Sequence, residues 1–387
     1  MTSPAEHPAL AWAASGAMSL TGRAAGPPLL APGDPAGAVR RALNRIAAHG
    51  VRAVPGPELL SERAALSGVT RDAPWSAGHA FRGLPTRDGW LGLSLSRDSD
   101  LDLLPALIED EVGMAPWEAV ARWARRSTTA SAEARTVLLG LAAAPIPSRP
   151  PAPSRPGVVV TRFGARRRQQ RPPRVLDLTA LWAGPLCARL LGLGGAEILT
   201  VESAARPDGA RLGAPEFYAR LHDGRQPRKI DFHDGGTLSG LIASADVVLE
   251  ASRPRALRQL GIDAEEVAAS GKIWLSITAR GRSEPLRVGF GDDVAAGAGL
   301  VAWDDGLPCP VGDAIADPLT GVAAAAAVFD ALAEDEGCLI DVSMRDVCVE
   351  AALADPGTPA RVVKAADGWV VEADHLVMPV LAPGSGR

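Results

Sequence analysis

The chain has 387 residues, of which 47% are hydrophobic and 22% charged, and it carries a formal net charge of −5. This length allows two or three domains with a large core. The weakly negative charge gives no reason to expect a nucleic-acid partner. No uninterrupted apolar run reaches the length that spans a bilayer, so the sequence predicts no membrane segment.

The cysteines and histidines give no sign of a metal centre. Cys187, Cys309, Cys338 and Cys348 lack C-x-x-C spacing, and the six histidines are scattered along the chain. The N-terminus, MTSPAEHPAL, has no basic region ahead of an apolar one, so no signal peptide is predicted. We therefore expect reduced cysteines, no bound metal and a cytoplasmic location.

Residues 1–143 predict an α-rich small domain. Asp34-Pro35 is typical of the cap and first turn of a helix, here an amphipathic one over 36–48. Asp88-Gly89-Trp90 opens a short strand over 90–95, in which apolar residues alternate. Further helices are predicted over 58–66, 101–110, 116–126 and 131–141.

Residues 144–173 predict a linker. Six prolines lie between 145 and 156, and arginines follow at 166–168 and 171. Proline at this density favours extended backbone over helix. An arginine run of this kind can bind phosphate, but a solvated connector is its more common role.

Residues 174–354 predict a Rossmann-like domain. The stretch RVLDLTALWAGPLCARLLGLGGAEILTVES (174–203) has the pattern of a strand, a turn, a helix and a second strand. Later strands are predicted over 245–251, 272–278 and 339–343, and helices over 236–244, 319–333 and 344–354, while 206–228 reads as loop. Residues 355–387 predict a C-terminal extension of loop and hairpin. The fold class is therefore α/β, a parallel Rossmann-like sheet with flanking helices plus a smaller α-rich N-terminal domain.

The turn at 183–185 lies where ligands bind such sheets, beside a helix N-terminus that attracts phosphate. Gly184 is its only glycine, and G-x-G-x-x-G is absent. A plain strand–helix–strand unit without a nucleotide is an equally good interpretation. A nucleotide-dependent oxidoreductase, with Glu202 holding a ribose, is disfavoured for the same reason.

A weak internal echo links 11–48 with 295–332. Both segments run from small apolar residues through a proline-containing turn to Asp-Pro and an alanine-rich helix. Asp34-Pro35 corresponds to Asp317-Pro318. Small residues produce such echoes by chance, so duplication and coincidence both remain open.

Several motifs resemble family III CoA-transferases, the group of formyl-CoA transferase, carnitine CoA-transferase and alpha-methylacyl-CoA racemase. Besides 174–203, they are HDGRQPRKIDF (222–232), ADVVLEASRPRALRQLG (245–261), GDAIADPLTG (312–321) and IDVSMRDV (340–347). They occur in the family's order over about 174–350. Residues 59–68, 88–90 and 134–146 resemble the small domain that normally follows this half, so the domain order looks permuted or trimmed.

The resemblance implies that Asp317 is the nucleophile of an acyl-CoA:carboxylate CoA-transferase, acting through an acyl–aspartyl anhydride. A helix N-terminus after Asp317 is expected to lower the pKa of its carboxyl and keep it ionised. Asp followed by Pro is also a common structural start of a helix, which needs no catalysis. Both interpretations stay open.

The resemblance places coenzyme A at four strand ends. The implied contacts are Trp182, Ala183, Gly184, Ser203, Ala251, Ser252, Arg253, Arg255, Thr278, Ala279, Arg280 and Gly281. Ser203, Ala251 and Gln259 depart from the family pattern, since a basic residue, Asn and Arg respectively occur there. Arg206 and Arg258 lie close by and are further candidates for phosphate contacts.

The implied partners are an acyl-CoA, a carboxylic acid and a second copy of the chain. The small-residue helices over 11–20 and 319–333 suit packing between the chains of such a homodimer. Two alternatives remain. The first is a non-catalytic CoA-binding or partner subunit. The second, with less support, is an acyl-CoA racemase. Gly291 stands where the racemase branch has its histidine, so α-proton exchange is the weaker alternative.

Overall fold

The computed structural model describes residues 7–113, 115–166, 170–232, 234–252 and 254–385. The N-terminal elements are α1 (Pro8–Ala14), α2 (Pro35–Ala48), α3 (Glu62–Ser67), β1 (Phe81–Pro85), β2 (Trp90–Ser94), α4 (Asp98–Asp102), α5 (Leu104–Ile108), α6 (Pro116–Arg126), α7 (Thr129–Leu139) and β3 (Ala142–Pro145), with 3₁₀ turns at Ala17–Leu20 and Pro57–Ser61. The predicted cap of α2 is confirmed, because the Asp34 carboxylate accepts the Gly37 N–H at 2.8 Å.

The remaining elements start at residue 158. They are β4 (Val158–Ala165), β5 (Arg174–Asp177), α8 (Ala183–Leu193), β6 (Glu197–Ser203), α9 (Ala210–Gly213), α10 (Pro215–Leu221), β7 (Arg228–Ile230), α11 (Gly235–Ser244), β8 (Val247–Glu250), α12 (Pro254–Gln259), α13 (Ala264–Ala269), β9 (Ile273–Thr278), α14 (Gly291–Gly297), β10 (Val301–Asp304), β11 (Leu307–Pro310), α15 (Ala316–Ala333), β12 (Glu336–Ser343), α16 (Met344–Leu353), β13 (Ala360–Ala365), β14 (Gly368–Ala373) and β15 (Leu376–Pro379).

The main sheet has the strand order β4-β12-β9-β8-β5-β6-β7. Its strands are parallel except β4, which pairs antiparallel with β12. From β5 the chain adds β6 and β7 on one side of the sheet. It then returns to the other side of β5, where it adds β8, β9 and β12. The predicted α/β class with a mostly parallel Rossmann-like sheet and flanking helices is confirmed. The direction reverses between β5 and β8, and in sheets of this kind ligands bind in a crevice at the carboxyl ends of the two strands, a place we call the β5/β8 crevice.

The hydrophobic core does not follow the predicted domain boundary at residue 143. Leu10, Trp12 and Ile46 from the first helices share one core with Val175 of β5 and Val328 of α15. Residues 84–143 hold a second core of their own, which includes Leu91 and Trp123. Residues 8–67 therefore pack as part of the sheet unit. The division of the chain into domains stays a prediction.

Three stretches differ from the sequence prediction. Within the predicted linker, Val158–Ala165 forms the edge strand β4, while Arg167 and Arg168 of the arginine run lie outside the described residues. The predicted loop over 206–228 contains the short helices α9 and α10. The predicted C-terminal hairpin is a three-stranded antiparallel sheet, β13-β14-β15. Strand β4 forms because β12 offers it a partner far along the chain.

Helix α15 is long and apolar enough to cross a membrane by length and composition, although Asp317 and Asp330 interrupt its apolar sequence. Its 18 residues meet that length and composition, and 72% of them are buried inside the protein. The helix packs against α8, α2 and α16. Core helices satisfy the same length and composition as membrane spans, and the burial of α15 shows that it serves the core here.

Candidate functional site

The open part of the β5/β8 crevice lies at the carboxyl ends of β8, β5 and β6, three adjacent strands. Ala180 and Leu181 after β5, Arg206 after β6 and Ala251 after β8 are exposed there. We call these strand ends the open rim. In doubly wound sheets this is where ligands bind. The open rim is therefore the candidate binding surface.

The first predicted CoA-contact segment, 182–184, is largely buried. Trp182 is 3% exposed; its ring packs edge-on against Phe217, and the Arg63 guanidinium lies over it. Ala183 and Gly184 are buried as well, and the Thr179 side chain occupies the space where Gly184 would carry a Cβ. A ligand at this turn meets Ala180 and Leu181 before it meets 182–184.

The segment 278–281 is covered by other parts of the chain. Arg280 pairs with Glu133 of α7 at 3.5 Å. The Arg155 guanidinium lies directly against Gly281 while pairing with Asp341 at 2.6 Å. Ala279 is buried, and the Thr278 hydroxyl is buried without a hydrogen-bond partner. This predicted strand end is therefore largely covered, with Thr278 and Arg280 partly exposed.

The other two predicted segments border the open rim. Ser203 is half-buried and forms an isolated bridge with Arg206. Ser252 donates its hydroxyl to the Glu250 carboxylate at 2.8 Å. Arg253 lies outside the described residues, and nothing is described of the Arg255 side chain. Arg258 faces Asp263 and Glu265 at 3.4 and 3.6 Å. Arg206 is an exposed basic residue of the open rim.

Asp317 lies in the first turn of α15, whose cap is Ile315 rather than Asp317. Its N–H donates to the Ala314 carbonyl at 2.9 Å, and its carboxyl accepts the N–H of Ala183 at the start of α8. The two helices meet closely here, since a Cβ on Gly321 would lie 2.6 Å from the Ala183 carbonyl oxygen. Asp317 thus lies beside the first crossover helix of the sheet and keeps a minor part of its surface exposed.

Helix α14 brings two more carboxyls to Asp317. The Asp292 carboxylate accepts the Ala314 N–H at 3.0 Å. The Asp293 carboxylate accepts the Ser94 hydroxyl at 2.7 Å and the Phe290 N–H at 2.9 Å. Asp317, Asp292 and Asp293, with Asp313, form what we call the aspartate cluster. Within the part of the chain that the structure describes, no group of three or more such residues has the arrangement of a metal site.

Gly291, at the start of α14, lies against the Asp317 carboxyl. A Cβ at this position would overlap the Asp317 Oδ2 atom and lie 2.7 Å from the Ala314 carbonyl carbon. A histidine, the residue of the racemase branch, therefore does not fit at Gly291 unless this loop moves. The racemase alternative loses support for a steric reason as well as a chemical one.

The pKa of Asp317 is raised to about 7, contrary to the sequence expectation. Burial is the largest cause, and the charges of Asp292 and Asp293 add to it. Arg63 and the Ala183 N–H act in the opposite direction. The helix N-terminus that favours the ionised Asp317 carboxyl is that of α8 and not that of α15. Burial raises the pKa by more than this terminus lowers it. Burial likewise raises the pKa of Asp292 to about 6 and of Asp293 to about 7.

Arg63 is a site residue that sequence reasoning missed. It comes from α3, in the N-terminal part, and its Nε donates to the Asp313 carboxylate at 2.8 Å. Because residues 59–68 resemble part of a separate small domain, Arg63 was not expected at the site. The signal that was available is a charged pair, Glu62-Arg63, inside an otherwise apolar helix, since such residues are rarely buried without a partner.

Glu202 does not offer a free carboxylate for a ribose. Its Oε1 accepts the N–H of Asp208, and its Oε2 accepts Arg211 at 2.8 Å. Glu202 is 8% exposed. A ribose hydroxyl would have to displace one of these internal bonds, so the oxidoreductase interpretation is disfavoured.

A model of CoA-transferase family III matches residues 173–371, just over half of the chain. The fold and the motif order agree with that match, and the chain belongs to CoA-transferase family III. The resemblance seen in the sequence is thereby confirmed.

The chain is similar to several curated enzymes. A succinyl-CoA–D-citramalate CoA-transferase of Chloroflexus aurantiacus is 31% identical over 243 residues, which cover 56% of this chain and 59% of that protein. A succinate–glutarate CoA-transferase of Agrobacterium fabrum is 28% identical over 209 residues, covering 46% and 52%. A succinyl-CoA:glutarate CoA-transferase of Mus musculus is 29% identical over 192 residues, covering 44% of each. The chain thus spans about half the length of these relatives.

Solved structures with similarity include a hypothetical protein of Mycobacterium tuberculosis, 26% identical, with a TM-score of 0.44. The match covers 54% of this chain and 65% of that one. A CaiB/BaiF family protein of Brucella suis is 22% identical with a TM-score of 0.46, covering 54% and 66%.

Proposed function

We propose that the protein is an acyl-CoA:carboxylate CoA-transferase whose nucleophile is Asp317. The observation that carries the proposal is the contact of the Asp317 carboxyl with the N-terminus of α8, the helix that leads away from the β5/β8 crevice. An acyl-CoA bound at the open rim has its thioester end close to that helix start. Asp317 retains some exposure, as a nucleophile must.

The chemistry follows from a carboxylate meeting a thioester. Asp317 attacks the thioester carbonyl, the C–S bond breaks, and an acyl–aspartyl anhydride and a CoA thiolate form. The thiolate then attacks the aspartyl carbonyl, which releases the first acid and leaves an aspartyl–CoA thioester. The acceptor carboxylate attacks that thioester and expels CoA thiolate, which finally attacks the acceptor acyl carbonyl and frees Asp317. A thiol of pKa about 8.5 is a sufficient leaving group for the two steps that cleave a thioester, and a carboxylate leaves in the other two.

Backbone groups of α8 support these steps. The Ala183 N–H already faces the Asp317 carboxyl, so it is placed to stabilise negative charge that develops on the aspartyl carbonyl oxygen. CoA itself is proposed to lie along the open rim, with Arg206 as a phosphate contact. The largely covered residues 182–184 and 278–281 shape the crevice wall, while Ser203, Ala251 and Ser252 border the ligand.

Calorimetry with the purified protein tests the binding part of this proposal. We expect CoA and acyl-CoA to bind, and Arg206→Gln to weaken both, because a phosphate contact is lost. NADH serves as the comparison ligand and is expected not to bind, since both Glu202 oxygens accept internal hydrogen bonds. Tight NADH binding without CoA binding would refute the assignment.

The raised pKa of Asp317 predicts the pH dependence of transfer. Only the carboxylate attacks, so activity is lost as Asp317 takes up a proton below its pKa of about 7. The rate is expected to rise with pH through that value and level off about one pH unit above it. Initial rates at saturating acyl-CoA measure this, with circular dichroism at each pH as the control for folding. A rate that stays flat across the neutral range contradicts an essential Asp317 carboxylate.

The alternative is a non-catalytic CoA-binding or partner subunit. One observation favours it: the chain spans about half the length of its relatives. Binding of CoA with no transfer across a broad set of acyl-CoA donors and acids would support this alternative.

A homodimer and a cytoplasmic location complete the proposal. The argument from small-residue helices no longer supports the dimer, because Trp12 and α15 are buried inside a single chain. The dimer is therefore proposed from the family alone.

A further inference from the structure

Arg63 contacts two segments of the site, the 313–317 loop and the start of α8. Its Nε and Nη2 donate to the two oxygens of Asp313, whose side chain is completely buried. Its guanidinium carbon lies 5.0 Å from the centre of the Trp182 ring. The guanidinium is held by two hydrogen bonds along one edge and by an aromatic ring over its face, a geometry that lysine cannot reproduce.

Both partners of Arg63 are close in sequence to groups that define the Asp317 environment. Asp313 precedes Ala314, which has a left-handed φ of 44°, donates its N–H to Asp292 and accepts the Asp317 N–H through its carbonyl. Trp182 directly precedes Ala183, whose N–H donates to the Asp317 carboxyl. One edge of the Arg63 guanidinium therefore bonds the 313–317 loop, and its face contacts Trp182 at the start of α8.

We propose that Arg63 is a positioning residue for Asp317, supplied by the N-terminal part of the chain. It fixes the 313–317 loop against α8 and provides the positive charge that keeps the Asp317 carboxyl ionisable. The inference rests on the proposed role of Asp317 as the nucleophile. It goes further by assigning the N-terminal helix α3 a part in the same site.

The charges around Asp317 make Arg63 the decisive cation. Asp292 and Asp293 of α14 raise the pKa of Asp317, and Arg63 is the charged group that lowers it against burial. On α16, burial and then the charge of Asp317 raise the pKa of Cys348, which therefore stays a neutral thiol. The negative charge of Asp313 is balanced by its ion pair with Arg63. Removing the Arg63 charge takes away the cation that opposes burial and the neighbouring carboxyls at Asp317.

Helix α3 has a second anchor, so the loss of Arg63 need not detach it. Glu62 accepts Arg189 of α8 at 2.9 Å and Arg220 of α10 at 3.0 Å. The Glu62 and Arg189 side chains are 5% and 6% exposed. This buried pair holds α3 on the sheet unit independently of Arg63. A variant at Arg63 is thus suited to test positioning rather than folding.

The test follows the Asp317 carboxyl directly, by ¹³C NMR of the full chain with aspartate labelled at the carboxyl carbon. The Asp317 signal is assigned by its absence in Asp317→Asn. In Arg63→Gln we expect its titration midpoint to rise by about one pH unit or more, because an opposite charge is lost. In Asp313→Asn we expect the midpoint to fall, because the Arg63 charge is no longer neutralised by Asp313.

Arg45→Gln is the matched control, since it removes an arginine whose partner, Asp330, is partly exposed at the far end of α15. Its Asp317 midpoint is expected to equal that of the wild type. Shifts of opposite sign in Arg63→Gln and Asp313→Asn cannot come from general loosening of the fold. An unchanged midpoint in either variant, with native circular dichroism, overturns the proposal, and if one variant does not fold the other decides. The titration needs no turnover, so its outcome is separate from failure of the transferase assignment.

Discussion

Asp317→Asn is expected to lower CoA transfer by roughly 10³-fold or more, while CoA affinity stays nearly unchanged. Asn has the size of Asp, and its amide oxygen still accepts the Ala183 N–H. What it lacks is the anionic oxygen that attacks the thioester. Because Asp317 is not the cap of α15, no capping bond is lost. Steady-state transfer rates and CoA calorimetry on the same preparations measure the two effects separately.

Asp34→Asn is the matched control for this substitution. Asp34 occupies the echo position before α2, where its carboxylate caps the helix through the Gly37 N–H. Asn caps equally well, and the pair with Arg41, whose side chain is 58% exposed, contributes little. Transfer is expected to stay at the wild-type level. That result would show that the two aspartates followed by proline differ in role although their sequence context is alike.

Covalent trapping adds an independent measurement. Hydroxylamine, added with acyl-CoA, attacks the activated aspartyl carbonyl and converts Asp317 to a hydroxamate, which peptide mass spectrometry detects. Labelling is expected at Asp317 and not at Asp292, Asp293 or Asp313. Transfer that survives in Asp317→Asn, with label on another residue, shows that the assignment is wrong.

Gly291→Ala is expected to reduce both stability and transfer. Its methyl group would overlap the Asp317 Oδ2 atom and the Ala314 carbonyl, so the 313–317 loop or the start of α14 must shift. Overpacking of this kind costs about 1–3 kcal/mol of unfolding free energy. A displaced nucleophile lowers the rate by about 100-fold, since reactive geometry tolerates little error. Urea unfolding and transfer rates measure the two effects.

Gly240→Ala provides the control for replacing glycine in a helix. Gly240 is an exposed residue of α11, and nothing lies within 4 Å of a Cβ placed there. Alanine is expected to raise the unfolding free energy by about 0.5–1 kcal/mol without changing transfer. Equal behaviour of the two variants would mean that Gly291 is not in close contact with the Asp317 carboxyl in solution.

Local sequence pattern determined most of the secondary structure. The helix predicted over 116–126 forms over Pro116–Arg126, because a proline suits its first position and its apolar residues recur at helical spacing. Asp34 caps α2 as its residue type predicts. The strand–helix–strand pattern of 174–203 and the later alternation were sufficient to predict a parallel sheet. These features depend on neighbours within a few residues, which the sequence shows directly.

Elements with distant partners were harder to predict. Strand β4 is rich in β-branched residues, yet it lies between proline-rich and arginine-rich segments that favour a connector. Its pairing with β12, about 180 residues later, decides its structure. Strand propensity depends on such context, and no local pattern reveals it.

The candidate site divides in the same way. The sequence predicted Asp317, the α8 turn and the strand ends as site residues, because each lies within a motif that resembles the family. Only the tertiary structure decided that Arg63 faces Asp313, that Gly291 lies against Asp317, and that 182–184 and 278–281 are covered. It also reversed the expected direction of the Asp317 pKa shift. Burial and through-space charge depend on which distant residues surround a group, and that arrangement exists only once the chain has folded.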